Sequence, residues 1–420
     1  MKTTSPAPSP MTTAVALRVF LPFALGYFLS YLYRAVNAVI APDLIADLGL
    51  DASTLGLLTA VYFLTFAAFQ LPLGMLLDHY GPRRIEAGLL VFASLGALLF
   101  AIAPNTQALI VARGLIGFGV SACLMAAFKA YVMWFPRERL ALINGFQMMS
   151  GGLGALAATQ PIEFALGFTD WRGVFWVLAA LTLVSAMMVY TVVPEHGGGR
   201  HPDAKIKDTW VGVKEIFTSA QFWRVAPQCV LSQATFTATV GLWSGPWLRD
   251  VAGLERAAAA EHLFWIAAAM IAGFLSWGLI AERLLRFFDV RPMTIAAIGM
   301  SGFMVVQALI VVEFPLSHPA LTSMVWMAFG FFGTAGIVPY AALSQAFPAH
   351  LAGRVNTALN LLVFVMAFVA QWAIGAVIDL WPQTADGGYA AQGYQVAFAV
   401  MLALQVLALA WYVARRAVRI

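Results

Sequence analysis

Residues 54–103 read TLGLLTAVYFLTFAAFQLPLGMLLDHYGPRRIEAGLLVFASLGALLFAIA. Two apolar runs, residues 54–77 and 85–103, flank a short polar loop that carries one acidic residue and two arginines. Each run is close to the roughly 20 apolar residues that a helix needs to cross a bilayer. The stretch therefore predicts two membrane-spanning helices that are joined on one side of the membrane.

The rest of the 420-residue chain continues this pattern. Hydrophobic residues make up 61% and charged residues 10% of the sequence, and the mean hydropathy is +0.83, which excludes an ordinary soluble protein. The predicted spans cover residues 18–42, 54–77, 85–103, 107–134, 140–166, 171–193, 222–248, 260–284, 292–313, 319–346, 354–380 and 391–414. We expect an all-α polytopic membrane protein with 12 transmembrane helices in two pseudo-symmetric six-helix bundles.

The positions of the 24 Lys and Arg residues predict the orientation of the chain, because cytoplasmic loops accumulate these residues. With both termini in the cytoplasm, 18 of them fall on the cytoplasmic side, and six fall outside or within the spans: Arg172, Arg249 and Arg256 outside, and Arg34, Arg113 and Lys129 within. The net charge of +4 therefore reflects topology, and no nucleic acid partner is expected. We expect a multi-pass protein of a bacterial inner (plasma) membrane, in contact with the lipid bilayer.

Two polar segments divide the chain. Residues 1–17 are rich in Pro, Ser and Thr, which predicts a disordered cytoplasmic tail, and residues 196–215 predict a cytoplasmic linker. The segments between and after them, residues 18–195 and 216–420, are the predicted six-helix bundles.

A charged loop recurs at corresponding positions of the two halves. Residues 74–84 read GMLLDHYGPRR and residues 278–292 read GLIAERLLRFFDVRP, so that a glycine is followed four residues later by an acidic residue and then by arginines. Parallel repeats of this kind place a substrate site near the membrane midplane, between the halves.

The first loop resembles the G-x-L-x-D-x-x-G-x-R-R signature of the major facilitator superfamily, and the resemblance extends over nearly the whole chain. The matching residues are Gly74, Asp78, Gly81, Arg83 and Arg84, with Glu282 in the second copy. Arg113, Gly117 and Gly119 resemble the superfamily's fourth-helix motif. The resemblance implies that the loop residues gate alternating access between the two halves.

The segment YLYRAVNAVIAP, residues 31–42, resembles the first helix of the superfamily's organic anion:cation symporters. Arg34 and Asn37 carry this resemblance, Arg113 sits where those transporters place a second substrate-contacting arginine, and Lys129 matches another basic position. The resemblance implies that these four residues bind substrate. A carboxylate could bridge Arg34 and Arg113 through paired charge-assisted hydrogen bonds.

Three cations, Arg34, Arg113 and Lys129, thus lie in predicted spans, and no acidic residue is evident beside them in their helices. Ionisable groups are costly inside a bilayer and usually mark a functional site. Three unmatched cations predict a cavity for a negatively charged substrate. Structural alternatives stay open, because Arg113 could brace helix packing and Lys129 could extend to the membrane surface.

The acidic residues that those symporters carry near the two arginines are replaced here by Tyr33 and Val120. Coupling to H+ would then use Asp43, Asp47 or Glu163, near the outer ends of their helices, or a proton carried by the substrate. Uniport and anion exchange also stay open.

Further polar and aromatic side chains are predicted to contact substrate, namely Tyr62, Gln70, Gln233, Trp243 and Asn360. Gln233 and Trp243 lie on the seventh span, which is unusually polar and has Gly241, Gly245 and Pro246 at its outer end. A broken helix there could serve as an outer gate. Each polar residue could instead make a contact between helices.

The leading functional prediction is gradient-driven uptake of a small organic anion, a carboxylate-type solute, by alternating access. The alternative is efflux of drugs or metabolites. Gly145 and Gly154 fit the first spacing of the helix-five signature of the superfamily's drug antiporters, but Ala158 and Thr159 replace the glycine and proline that follow.

Enzymatic functions find no support in the sequence. It lacks the phosphate-binding pattern G-x-x-x-x-G-K-[ST], and its His, Cys and acidic residues have no metal-ligand spacing. Cys123 and Cys229 lie in apolar segments and predict packed thiols. We expect no enzyme activity, cofactor or metal, and a functional monomer.

Overall fold

A computed structural model describes residues 13–195, 214–348, 351–384 and 387–415 as helices joined by short connections. The helices of the first half are α1 (Thr13–Ala35), α2 (Asn37–Leu48), α3 (Ala52–Tyr80), α4 (Pro82–Ile102), α5 (Thr106–Gly119), α6 (Cys123–Trp134), α7 (Arg137–Ala157), α8 (Gln160–Leu166) and α9 (Trp171–Val192). Those of the second half are α10 (Ala220–Ala238), α11 (Ser244–Asp250), α12 (Arg256–Phe288), α13 (Pro292–Val311), α14 (Phe314–Ser317), α15 (Thr322–Gly333), α16 (Val338–Ala346), α17 (Ala352–Ile378) and α18 (Ala391–Ala414).

The membrane spans agree with the sequence prediction. Across the described ranges, 10 helical stretches are long and apolar enough to cross a membrane. They coincide with ten of the predicted spans. The other two, residues 140–166 and 222–248, are interrupted helices: α7 gives way to α8, and α10 continues through the π-helical segment Thr239–Trp243 into α11. The fold is the all-α membrane architecture expected.

The boundaries of the polar segments differ in part from the prediction. Helix α1 begins at Thr13, so residues 13–17, which were expected in the disordered tail, are helical. The apolar sequence TAVAL extends the first span at this end, which explains the earlier start. Residues 1–12 and 196–213 lie outside the described part of the chain, so the rest of the tail and most of the linker stay predictions.

The charged loop of the first half forms a tight turn between α3 and α4. Gly81 has a φ of 82°, which favours glycine over any residue with a side chain, and Pro82 occupies the first position of α4. At the opposite end of α3, the Asp51 carboxylate accepts a hydrogen bond from the Thr54 main-chain N–H at 2.8 Å and caps the helix.

Helices α3 and α17 pack against each other, as do α7 and α12, and these contacts join the two halves. We call the side that carries Asp43 and Arg256 the outer side, and the side that carries Asp78 and Glu195 the inner side. This naming follows the orientation predicted from the Lys and Arg distribution.

Two glycines allow the halves to approach closely on the outer side. A Cβ on Gly245 would lie 2.0 Å from the Ala38 carbonyl oxygen, and one on Gly375 would lie 2.3 Å from that of Ala52. Any side chain at either position would push the backbones apart. The outer ends of the two halves are therefore in direct contact.

Candidate substrate site

A cavity of about 360 Å³ lies between the two halves. This volume falls in the range of roughly 300–1,000 Å³ that is typical of small-molecule sites. Apolar side chains form most of its wall. The polar side chains in the wall include Tyr27, Ser30, Tyr31, Arg34, Gln70, Gln233, Tyr340, Asn356 and Asn360.

Arg34 provides the one charged side chain among the described residues that line this cavity. Its guanidinium carbon lies 4.4 Å from the centre of the Tyr31 ring and 5.1 Å from that of Phe364, within cation–π range. Its Nε is buried without a hydrogen-bond partner, and no carboxylate of the described ranges lies within 4.0 Å of the guanidinium. Aromatic rings hold this cation, and no acid of the described part of the chain neutralises it.

Arg113 is fully buried and does not line the cavity. Its Nη1 donates a hydrogen bond to the Tyr33 carbonyl oxygen at 2.9 Å. The guanidinium carbons of Arg113 and Arg34 lie 5.3 and 5.9 Å from the centre of the same ring, that of Tyr62. Because Arg113 does not line the cavity, a carboxylate there that bridges Arg34 and Arg113 does not fit this arrangement.

The expectation of three unmatched cations is wrong for Lys129. Its ammonium forms an ion pair with the Asp78 carboxylate, and its side chain does not line the cavity. The long apolar stem of lysine explains this pairing, because it can extend towards the inner end of α6, where α3 also ends. Arg34 is left as the unneutralised cation at the cavity.

The arginines of the charged loop contact α9 and the residues that follow it. Arg84 forms an ion pair with Glu195, and the Nε of Arg83 donates a hydrogen bond to the Tyr190 carbonyl oxygen at 2.8 Å. Asp78, the acidic residue of the same loop, pairs with Lys129. In this conformation all of these contacts lie within the first half.

The other predicted gating residues make few contacts. A Cβ on Gly74 would meet nothing within 4 Å. Glu282 is exposed near the inner end of α12 and forms no ion pair with any residue that the structure describes. Gly81 supplies the positive φ of the α3–α4 turn. The gating roles of these residues stay predictions.

Three of the predicted polar residues lie in the cavity wall. The Nε2 of Gln70 donates to the Ser121 carbonyl oxygen at 3.2 Å, and the Nε2 of Gln233 donates to that of Gly333 at 3.0 Å. Asn360 accepts from the Tyr340 hydroxyl at 3.4 Å. Together with Arg34, these side chains bring polar groups of both halves to one cavity.

Three other predicted residues make contacts elsewhere and do not line the cavity. The side-chain amide of Asn37 donates to Thr59 Oγ1 at 2.9 Å. Tyr62 donates to the Ser30 carbonyl oxygen at 3.1 Å, and the Trp243 indole donates to that of Gln371 at 2.9 Å. In this conformation these residues join helices, which was the structural alternative.

Several lining residues were not predicted. Tyr27, Tyr31 and Arg34 are spaced by four and three positions along α1, and Asn356 precedes Asn360 by four positions on α17. Residues at these spacings lie on one helix face. These residues could therefore have been predicted from the sequence by counting three or four positions along the helix from the residues that were predicted.

The three acidic residues proposed for proton coupling lie near the outer ends of their helices. Arg256 of the second half binds Asp43 with Nη1 and Nη2, at 2.7 and 2.6 Å, and binds Glu163 with Nε at 2.7 Å. Asp47 accepts a hydrogen bond from the Trp171 indole at 2.7 Å. Of the ion pairs between described residues, those of Arg256 join the two halves.

Comparison with known proteins matches this architecture to one family. The sequence profile described as Major Facilitator Superfamily matches residues 23–371. A bacterial homologue of the human lysosomal transporter Spinster, solved in an inward-facing and occupied conformation, superimposes with a TM-score of 0.78 at 17% sequence identity, over 97% of this chain and 98% of that chain. A likeness at this identity concerns the fold.

Relatives of similar sequence match over part of their length. The hexuronate transporter of Escherichia coli (strain K12) is 26% identical over 52% of this chain and 55% of its own. The probable sulfoacetate transporter of Cupriavidus necator is 29% identical over 38% of this chain and 37% of its own. The chain thus spans about half or less of the length of these relatives. Proteins named as efflux transporters also match, at 27% and 29% identity over 31% and 47% of this chain.

Proposed function

The chain belongs to the major facilitator superfamily and is a multi-pass membrane transporter, and from that premise we propose that it is a secondary active transporter of a small organic anion. The single observation that carries the proposal is Arg34, a cation at the wall of the cavity that has no acidic partner among the residues that the structure describes. The proposed substrate class is a carboxylate-type solute.

The cost of an unpaired charge supports an anionic ligand. An ionised side chain away from water loses several kcal/mol of solvation unless a partner compensates it. The rings of Tyr31 and Phe364 compensate Arg34 in part, since cation–π contacts contribute roughly 0.5–2 kcal/mol. A carboxylate or sulfonate would supply the missing partner through charge-assisted hydrogen bonds to the guanidinium.

The polar groups around Arg34 suit a hydroxylated anion. Gln70 and Gln233 bring amide groups from opposite halves, and the amide of Asn360 lies on α17. Such groups donate and accept hydrogen bonds, as sugar hydroxyls require. The relatives named for hexuronate and sulfoacetate support organic acids as the first compounds to test.

Alternating access requires contacts on the outer side that can separate. Arg256 joins the halves there through Asp43 and Glu163. The Asp379 carboxylate, which follows α17, accepts hydrogen bonds from the Ala52 and Ser53 main-chain N–H groups at 2.9 and 2.7 Å. In the proposed cycle these bonds break when the outer side opens. Substrate that binds Arg34 and also contacts residues of the second half offsets part of that cost.

Direction and coupling complete the proposal. We propose uptake driven by an ion gradient, with H+ as the coupling ion, both termini in the cytoplasm of a bacterial inner membrane, and a monomer as the working unit. Each half contributes six predicted spans, and the cavity is formed within one chain. The inner side would then face the cytoplasm.

Efflux of drugs or metabolites is the second candidate. The observation that favours it is the aromatic part of the wall, which includes Phe66, Phe128, Phe236, Phe274 and Phe364. Large apolar rings suit lipophilic compounds as well as the stems of organic acids. A transporter of this kind would bind lipophilic cations or neutral compounds with no dependence on Arg34.

Uptake into proteoliposomes tests the proposal. The tested compounds are D-glucuronate, D-galacturonate and sulfoacetate, with D-galactose and tetraphenylphosphonium as the neutral and cationic comparisons. Arg34→Gln removes the charge, and Arg18→Gln makes the same change at an exposed position of the same helix. We expect uptake of at least one acid, lost in R34Q and retained in R18Q. Transport of only the neutral or cationic compound would support efflux of such compounds instead.

A further inference from the structure

Glu86 is a carboxyl group inside a predicted span that the proposed substrate site does not use. It lies in α4, its side chain is fully buried, and both of its carboxyl oxygens lack a hydrogen-bond partner. In the sequence it stands at the start of the predicted span 85–103, two positions after Arg84 of the charged loop. The structure places it inside the packed first half.

Glu86 occupies a space that a glycine leaves open. A Cβ on Gly26 of α1 would lie 2.5 Å from the Glu86 Oε1 atom and 3.7 Å from the Cys123 Sγ atom of α6. The carboxyl group therefore points into a gap between α1, α4 and α6 that only the absence of a side chain at position 26 provides. Gly26 and Cys123 directly precede Tyr27 and Leu124, which line the substrate cavity.

The groups that face Glu86 offer no neutralising charge. On α6, the titratable neighbours are the Cys123 thiol and the Tyr131 hydroxyl, which donates to Gln147 Oε1 at 2.7 Å. On α4 itself, Arg83 lies one turn away, but its guanidinium donates to the Tyr190 carbonyl oxygen and forms an ion pair with Glu195 at 4.0 Å.

The other helices packed against α4 add no free charge at this level. The contacts Arg83–Tyr190 and Ser94–Ala179 align α9 with α4, so that residues 185–189 of α9, SAMMV, face the turn of Glu86 and contain no titratable group. At the inner end of α3, Asp78 is already paired with Lys129. On α5, Gly119 packs against Ala93, which lies about two turns outward from Glu86, and Arg113 lies farther outward still.

From this geometry we infer that Glu86 is a proton-binding site, and that its protonation couples H+ to substrate movement. A fully buried carboxylate without a partner costs several kcal/mol more than the neutral acid, so the group binds a proton in this conformation. Glu86 lies four residues from the start of α4, about 6 Å along the helix axis from the inner end. The proton is bound from and released to the inner side when α1 and α6 move apart.

The coupling part of this inference rests on the proposed transport function, whereas the proton-binding part does not. Substrate in the cavity contacts α1 and α6 directly through residues adjacent to the Glu86 gap. Any shift of these helices on substrate binding changes access of water to the carboxyl group. This assigns H+ binding to a residue separate from Asp43, Asp47 and Glu163, which are engaged on the outer side.

Infrared spectroscopy of the reconstituted protein tests proton binding without a substrate. We expect the C=O stretching band of a protonated carboxylic acid at neutral pH in the wild type, its loss in Glu86→Gln and its displacement in Glu86→Asp. The control Glu261→Gln changes an exposed glutamate of α12 and should keep the band. Absence of the band in the folded wild type, or its persistence in E86Q, would overturn the inference.

Transport with D-galacturonate as the probe tests the coupling. We expect the wild type and E261Q to accumulate it when a proton gradient is imposed, and E86Q to exchange internal for external D-galacturonate without accumulating it. Accumulation by E86Q at the wild-type level contradicts coupling at Glu86. If no tested acid is transported while the band is present and sensitive to E86Q, the proposed function fails and the proton site stands. If transport occurs without the band, the inference alone fails.

Discussion

Arg113 donates a hydrogen bond from Nη1 to the main-chain carbonyl oxygen of Tyr33 at 2.9 Å. Tyr33 directly precedes Arg34 and lies in the last turn of α1, where carbonyl groups lack partners within the helix. Arg113 thus holds the end of α1 at the point where Arg34 reaches the cavity. One arginine positions the backbone that presents the other.

Arg113→Gln should therefore lower the stability of the folded protein. A hydrogen bond to a charged group contributes about 1.5–3 kcal/mol, and the variant leaves a buried carbonyl oxygen without its donor. The measurement is the melting temperature of the purified variant in detergent, beside the wild type. A variant that melts like the wild type but no longer binds the acids would instead assign Arg113 to direct substrate contact.

Asp78→Asn should impair transport and leave membrane insertion intact. The Asp78 and Lys129 side chains are 51% and 22% exposed, so that their ion pair contributes less than about 1 kcal/mol to stability. Its expected role lies in the inward-to-outward transition. Initial uptake rates of D78N, Lys129→Gln and the double variant form a cycle. If the loss of transport free energy in the double variant equals the sum of the losses in the two single variants, the pair does not act as a unit.

Arg256→Gln should favour opening of the outer side. The variant removes both ion pairs that join the halves there, at an arginine that is 36% exposed. With about 0.5–1 kcal/mol for each pair, the open population should rise several-fold. Distances between spin labels on the outer ends of the two halves report this population. Unchanged distance distributions would show that the glycine contacts hold the outer side closed without Arg256.

Asp51→Ala should destabilise the protein by about 1 kcal/mol at neutral pH, because it removes the cap of α3. Hydrogen bonding from Thr54 holds the pKa of the Asp51 carboxyl below its ordinary value. A carboxyl with a lowered folded-state pKa stabilises the fold above its unfolded-state pKa, and that contribution is lost as pH falls through the folded-state pKa. Melting temperatures of the two proteins should converge in acid; a constant difference contradicts the cap.

The sequence predicts the membrane-spanning helices better than it predicts which side chains pair between them. Long apolar runs give the spans directly, and Arg34 is recognisable because it is charged within such a run. The pairing of Lys129 with Asp78 depends on where two helices end relative to each other, which no local pattern contains. The meeting of Arg256 with Asp43 and Glu163 depends in the same way on how the halves pack.

The burial of Glu86 is a second feature that the sequence does not predict. Glu86 stands at the second position of the predicted span 85–103 and close to the charged loop, so the sequence alone gives no sign of its burial. Burial follows from the missing side chain at Gly26, on a helix separated from Glu86 by 60 positions in the sequence. A gap between helices depends on how they pack, so the hydrophobic periodicity of neither helix reveals it.

Thermal stability with ligands tests the central claim, an anion site at Arg34, most directly. Wild type, R34Q and R18Q are melted in detergent with D-glucuronate, D-galacturonate, sulfoacetate, D-galactose or tetraphenylphosphonium. A ligand at 100 times its Kd stabilises by about 2.7 kcal/mol, which shifts the melting temperature measurably. We predict that an acid stabilises the wild type and R18Q, and that its affinity falls about 10- to 100-fold in R34Q. Equal stabilisation of R34Q by the acid, or stabilisation of the wild type by the neutral or cationic compound alone, would contradict the account.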